Sequence, residues 1–141
     1  MGEPDVPTYG ELMKAWVDSI NAQDIDGMVL HFTEDVQFED VAMKRTGQGR
    51  EELRTLFLDW VAEFPSTRAE LLSVTSLGTV GVTEWELTVT RAEAAADGGG
   101  SGPAPAATPI RLRGACIDEL GPDGRIRVHR DYWNTADLAA R

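Results

Sequence analysis

Apolar residues recur at helical spacing near the start of the chain, where Leu12, Met13, Trp16, Val17 and Ile20 share one face. Thr8, with Glu11 three residues on, carries the capping-box pattern that starts such a helix. A polar link over 21–24 leads to a second helical pattern through Ile25, Met28, Val29 and Phe32, with Asp24 as its N-cap. Val36-Gln37-Phe38-Glu39-Asp40 then alternates as a short strand, placing Val36, Phe38 and Asp40 on one face, before a loop through Gly47 and Gly49. A third helix is predicted over about 50–64. Leu53, Leu56, Phe57, Trp60, Val61 and Phe64 form its apolar stripe, and Pro65 ends it.

From Ala69 the period changes to two, and 70–77, 80–91, 110–120 and 125–134 read as strands. Gly121-Pro122-Asp123-Gly124 is a turn signal that makes the last two a hairpin. Segment 93–109 consists mainly of alanine, glycine and proline and lacks large apolar residues, so it is expected to be a flexible hairpin loop, either an inert insertion or a lid. Three N-terminal helices against a curved mixed or antiparallel sheet define an α+β plan. A sheet bent around a helix layer leaves a conical internal pocket.

The length of 141 residues fits a single domain over 1–141. A net charge of -11 argues against nucleic acid and anionic membranes as partners, because phosphate would be repelled. A lone cysteine, Cys116, permits no internal disulfide, and no apolar run is long enough to export or anchor the chain, so a cytoplasmic location is expected. His31, His129 and Cys116 have no metal-ligand spacing, and the glycines at 98–102 lack the lysine of a phosphate loop. Neither a metal nor a cofactor is expected.

The candidate chemistry lies in the last strand, Arg-Ile-Arg-Val-His-Arg-Asp-Tyr-Trp-Asn. Alternation puts His129, Asp131 and Trp133 on one face and Val128, Arg130 and Tyr132 on the other. If the first face lines a pocket, Asp131 is a partly desolvated acid. Asp40 follows two apolar residues inward on its own strand and is the second candidate.

With these residues laid out, the chain resembles the nuclear-transport-factor-2-like (NTF2-like, cystatin-like) superfamily, in the branch of ketosteroid isomerases, limonene-epoxide hydrolases and SnoaL-like polyketide cyclases. The likeness rests on Leu12-Met13-Lys14-Ala15-Trp16, Asp24-Ile25, Val36 to Asp40, Gly49-Arg50-Glu51, Asp123-Gly124-Arg125-Ile126 and Tyr132-Trp133. It implies that Asp40 takes the position of the isomerase base. Trp16 and Cys116 stand where the isomerases carry the tyrosine and aspartic acid of their oxyanion hole. Arg130-Asp131-Tyr132-Trp133 matches the last-strand run of the hydrolases and cyclases, whose functional acid or base falls on Asp131. The hydrolase Arg-x-Asp pair has no match in Thr83-Glu84-Trp85-Glu86-Leu87, and the hydrolase tyrosine and asparagine that position water align with Phe38 and Asp40.

The resemblance therefore implies a cofactor-independent enzyme with two carboxyls in one apolar cavity, one kept protonated while the other is ionised. Trp16, Phe38, Trp85, Cys116, His129 and Trp133 would form its substrate wall. The expected substrate is a hydrophobic polyketide, terpenoid or steroid-like compound, and the expected activity that of a polyketide cyclase or isomerase. An epoxide hydrolase or epoxide-opening cyclase is the alternative within the class, and a non-catalytic small-molecule binding or association module the alternative outside it. Glu63, Glu84 and Glu86 are further acids whose reach is open. A homodimer through the outer sheet face, with Val128 and Tyr132, is also implied.

Overall fold

The computed structural model describes residues 7–92 and 108–139. Most of the expected hairpin loop at 93–109 therefore lies outside the described residues. Helix α1 (Tyr9–Asn21) begins with the predicted capping box: Thr8 Oγ1 accepts from Glu11 N at 3.1 Å, and Thr8 N donates to Glu11 Oε1 at 3.0 Å. Its buried face carries Tyr9, Leu12, Met13 and Trp16. Helix α2 (Ile25–Val29) is capped by Asp24, whose carboxylate accepts from Gly27 N at 3.0 Å.

Phe32, expected in α2, instead opens strand β1 (Phe32–Asp40). The helix stops because the chain is captured by the sheet: His31 O accepts from Ile126 N at 3.0 Å, and Phe32 sits fully buried beside Ile126. The segment expected to loop through Gly47 contains strand β2 (Arg45–Gln48), which pairs antiparallel with β1 so that Arg45 stands opposite Asp40. Three polar residues and a glycine carry no strand signal of their own; pairing with β1 makes them a strand. Helix α3 (Gly49–Glu63) follows, and the Arg50 guanidinium grips the Phe32 carbonyl through Nε at 3.0 Å and Nη2 at 2.6 Å.

The remaining strands are β3 (Ser66–Leu77), β4 (Val80–Thr90), β5 (Ile110–Leu120) and β6 (Ile126–Trp133), and a short 3₁₀ turn (Thr135–Ala139) ends the described chain. The six form one open mixed sheet in the order β2-β1-β6-β5-β4-β3. Every pairing is antiparallel except β1 with β6, which is parallel. Strand β3 starts four residues earlier than expected. Asn21 at the end of α1 ties it down there, its side chain bonding both N–H and C=O of Ala69 at 2.6 and 3.1 Å. A bulge between Leu71 and Ser73 shifts the phase of β3, so that Val74 rather than Ser73 packs on the core.

The three helices pack on one face of this sheet. Two apolar clusters result, one around Trp16, Phe32 and Phe57 and a smaller one around Phe64, Val89 and Leu112. Trp85 packs against both, and the space between them is the cavity.

Candidate active site

Register across the sheet builds the cavity floor. The parallel pairing sets Asp40 opposite Asp131 and Phe38 opposite His129, while β5 sets Cys116 opposite Asp131 and Asp118 opposite His129. Side chains of paired residues emerge on the same face. Asp40, Asp131, Cys116 and Thr83 thus form one row, since Thr83 on β4 stands opposite Cys116. Trp133, Gly114 and Trp85 form the next row. Above them lie Met13, Trp16 and Val17 of α1 and Phe57, Trp60 and Val61 of α3, enclosing an apolar cavity of about 130 Å³.

All eight side chains expected at the site, Asp40, Asp131, Trp16, Phe38, Trp85, Cys116, His129 and Trp133, line this cavity. Glu63 does not: it pairs with Arg45 at 3.7 Å on the surface. Glu84 Oε1 accepts from the Ser73 hydroxyl at 2.6 Å on the outer side, and Glu86 faces Arg111 at 3.8 Å. Both glutamates flank Trp85, which points inward, so alternation turns them to the outer face.

Asp40 Oδ1 accepts from Trp133 Nε1 at 3.0 Å and from Met43 N at 3.1 Å. Its pKa is raised above the ordinary 3.8, first by burial and then by the neighbouring charge of Asp131; the two hydrogen bonds and Arg45 oppose the rise without cancelling it. A carboxyl whose folded pKa is raised binds its proton more tightly when folded. The ionised form therefore costs stability above that raised value, and the cost disappears as pH falls through it. Asp40→Asn keeps the accepting oxygen and removes the charge. We expect it to raise the melting temperature at neutral pH and to do so less and less as pH falls toward about 4, read by thermal denaturation across pH. An unchanged or lower melting temperature at neutral pH would sink this account of Asp40.

His129 is enclosed between two carboxylates. Nδ1 lies 2.5 Å from Asp118 Oδ1, and Nε2 lies 2.9 Å from Asp131 Oδ1. The second contact is off the axis of the ring N–H, so it is a charge contact rather than an aligned hydrogen bond. Burial by itself lowers the histidine pKa, but the charges of Asp131 and Asp118 and the bonds to them outweigh it and raise the pKa well above 6.5. With the sign of a raised histidine, the stabilisation is complete below about 6.5 and is lost as pH rises through the higher folded value. Phe38 stacks on the imidazole at 4.8 Å with planes 13° apart, and Trp16 meets it edge-on.

Sequence reasoning missed the layer behind this row. Asp118 is wholly buried and accepts from Tyr9 Oη at 2.6 Å; Tyr9 also bonds Thr83 Oγ1 at 2.8 Å. Burial and the Asp118 charge push the Tyr9 phenol and the Cys116 thiol upward, so both stay protonated. The signal available was period two in β5, where Leu112, Cys116 and Asp118 fall on one face; for Tyr9 it was spacing of three, four and seven from Leu12, Met13 and Trp16. Gly81 makes room for Tyr9, since a Cβ there would lie 2.3 Å from the phenol ring. Arg45, at the cavity wall beside Asp40, was also missed.

Among the described residues, the ligand atoms of Cys116, His129 and Asp131 lie within 4.8 Å of one another. Thiolate, imidazole and carboxylate are zinc-type donors. Both imidazole nitrogens already face carboxylates, however, so a metal at this point would have to displace Asp131 from Nε2.

The fold is the ketosteroid isomerase-like one, with an apolar cavity between the helices and the sheet. The chain belongs to the family of SnoaL-like domains, which matches residues 13–129. None of the curated protein sequences is significantly similar. Among solved structures, a protein of ketosteroid isomerase-like fold from Catenulispora acidiphila, in complex with trimethylamine, is similar with a TM-score of 0.78 at 19% identity, over 94% of this chain and 92% of that one. A Shewanella putrefaciens protein provisionally assigned as a SnoaL-like polyketide cyclase gives 0.74 at 12%, over 96% of each chain. The epoxide hydrolase/cyclase-like enzyme SalBIII, of pyran ring formation in the polyether salinomycin, gives 0.72 at 22%, over 91% and 92%. At these identities the likeness establishes the fold.

Proposed function

We propose that the chain is a cofactor-independent acid/base enzyme acting on a hydrophobic biosynthetic intermediate, a polyketide cyclase or isomerase in which Asp40 and Asp131 exchange protons with the substrate. The observation that carries this is the in-register placement of the two aspartates on adjacent parallel strands at the floor of an apolar cavity. Neighbouring strands lie about 4.8 Å apart, so a single carbonyl-bearing fragment can touch both carboxyls. One removes a proton α to a carbonyl while the other protonates the oxygen on which charge develops. The indole of Trp133 holds Asp40 in place for that exchange. Aromatic walls favour a flat, apolar substrate.

Epoxide opening by an internal hydroxyl uses the same pair and is supported by the structural likeness to SalBIII. Cyclase or isomerase chemistry stays ahead of epoxide hydrolysis because Glu84 and Glu86 turn away from the cavity and cannot replace the missing Arg-x-Asp pair. A non-catalytic reading, capture of a small organic cation, draws on the four tryptophans that line the cavity beside its carboxylates, and on the trimethylamine bound by the Catenulispora protein. The test is uptake of deuterium from solvent into hydrophobic ketones and β-diketones, followed by mass spectrometry. Uptake that depends on both aspartates supports the enzyme; binding of trimethylammonium with no uptake by any ketone supports the capture reading instead.

The protein is further proposed to act in the cytoplasm as a homodimer joined through the outer sheet face, where Val80, Val82 and Tyr132 are exposed. Sedimentation equilibrium is expected to give twice the chain mass and Val82→Glu to lower it; a monomeric wild type would overturn the assembly.

A further inference from the structure

Buried ionisable groups gather behind the cavity floor at one point: Tyr9 from α1, Cys116 and Asp118 from β5, and His129 from β6. With the Nδ1 proton of His129 committed to Asp118, Nε2 faces Asp131 at 2.9 Å. That contact lies off the ring N–H axis and acts through charge, so a cationic ring stabilises an ionised Asp131 there and a neutral ring does not. Asp118 sets the charge of the ring. It is a fully buried carboxylate whose only charged contact among the described residues is His129, and an uncompensated buried anion costs several kcal/mol. The Tyr9 hydroxyl, and more weakly the Cys116 thiol at 3.5 Å, donate to its other oxygen. A buried anion on one side of the ring requires a positive ring, and a positive ring favours an anion on the other side.

We infer that Tyr9, Asp118 and His129 form a buried clamp that holds Asp131 ionised, so that Asp131 accepts the substrate proton and Asp40 supplies one. This rests on the acid/base reading above and settles within it which aspartate is base and which is acid. Around the imidazole stand Tyr9 from α1, Cys116 and Asp118 from β5, Asp131 on its own strand, and, beyond Asp131, Asp40 from β1 with Arg45 from β2. The cation beside Asp40 is Arg45, which is partly exposed and paired with Glu63, so it holds Asp40 ionised far less than a buried ring would; Trp133 and the Met43 amide bond one oxygen of Asp40, and among the described residues the other is free to carry a proton. In a ring closure, the C–H bond α to one carbonyl breaks and its proton passes to Asp131. The electron pair left on carbon forms the new C–C bond to a second carbonyl carbon, and that carbonyl oxygen takes the proton of Asp40. The carboxyls end with their proton exchanged between them, and exchange with water at the cavity mouth restores the starting state. Tyr9 and Asp118 touch no substrate in this scheme and act as positioning residues through His129.

The test uses the full chain with ¹⁵N-labelled histidine and ¹³C-labelled aspartate, as wild type, Asp118→Asn and Tyr9→Phe, with His31→Gln to assign the two imidazoles. In the wild type, both ring nitrogens of His129 should be protonated at about pH 8, where an unperturbed imidazole of pKa about 6.5 is neutral. Asp118→Asn should leave one of them bare at that pH and move the Asp131 carboxyl titration upward. Tyr9→Phe should move both in the same direction by less, and it carries the test if Asp118→Asn does not fold. A neutral His129 in the folded wild type, or titrations unmoved by either variant, would overturn the clamp. The ascending limb of deuterium uptake against pH should move upward in the same variants, which a purely structural role of Asp118 would not produce. Failure of the wild type to exchange any ketone, with His129 charged as described, would count against the enzyme reading and leave the clamp standing.

Discussion

Asp131→Asn is expected to slow ketone deuterium uptake by about 10²- to 10⁴-fold, the usual contribution of a positioned general base. The substitution preserves size and removes the one carboxylate that faces both the cavity and the His129 ring. Its effect should fall on kcat more than on KM, because Asp131 is a minor part of an apolar wall built from α1, α3 and β4. Asp40→Asn should give a loss of similar order while raising stability at neutral pH. That opposition, activity down and stability up, marks a group kept in an unfavourable environment for its chemistry. A loss under threefold in Asp131→Asn would remove Asp131 from the catalytic role.

Phe32→Ala should cost about 3–5 kcal/mol, the range for truncating a fully buried aromatic. For a chain of this size that corresponds to roughly 10 °C or more in melting temperature. Phe32 is the hub of the main cluster, with ring centroids 5.1 Å from Trp16, 5.7 Å from His129 and 6.1 Å from both Phe38 and Phe57. Its backbone is held at the same time by Arg50 and by β6, so the site cannot collapse around the missing ring. Guanidinium unfolding reads the loss directly. A cost below about 1 kcal/mol would mean that the cluster repacks, and that the cavity walls are softer than their burial implies.

How much of this was readable beforehand follows from the range over which each pattern acts. The face of β6 that carries His129, Asp131 and Trp133, and that of β1 that carries Phe38 and Asp40, came from strict alternation, which survives whatever the strands pair with. The capping box of α1 and the Asp24 cap are likewise contained within a few residues. Strand β2 was hidden because Arg45–Gln48 has no apolar period, and its existence depends on the edge of β1. The bulge in β3 was hidden because alternation assumes a uniform ladder, whereas a single inserted residue returns Val74 to the core. Asp118 was on a readable face yet passed over, since a carboxylate between cavity-facing strands becomes conspicuous only when the histidine opposite it is known.

The sequence by itself determined the α+β plan, the family, and the shared faces of Phe38 with Asp40 and of His129, Asp131 and Trp133, because these follow from periods of 3.6 and 2 and from short motifs. Only the tertiary structure decided that Asp40 and Asp131 meet. They lie on strands far apart in sequence, and their adjacency comes from a parallel pairing of β1 with β6 that no local pattern encodes. It also decided the charge environment of His129, since a buried ring takes its protonation from whichever groups the sheet register brings to its two nitrogens, and here those are Asp118 and Asp131.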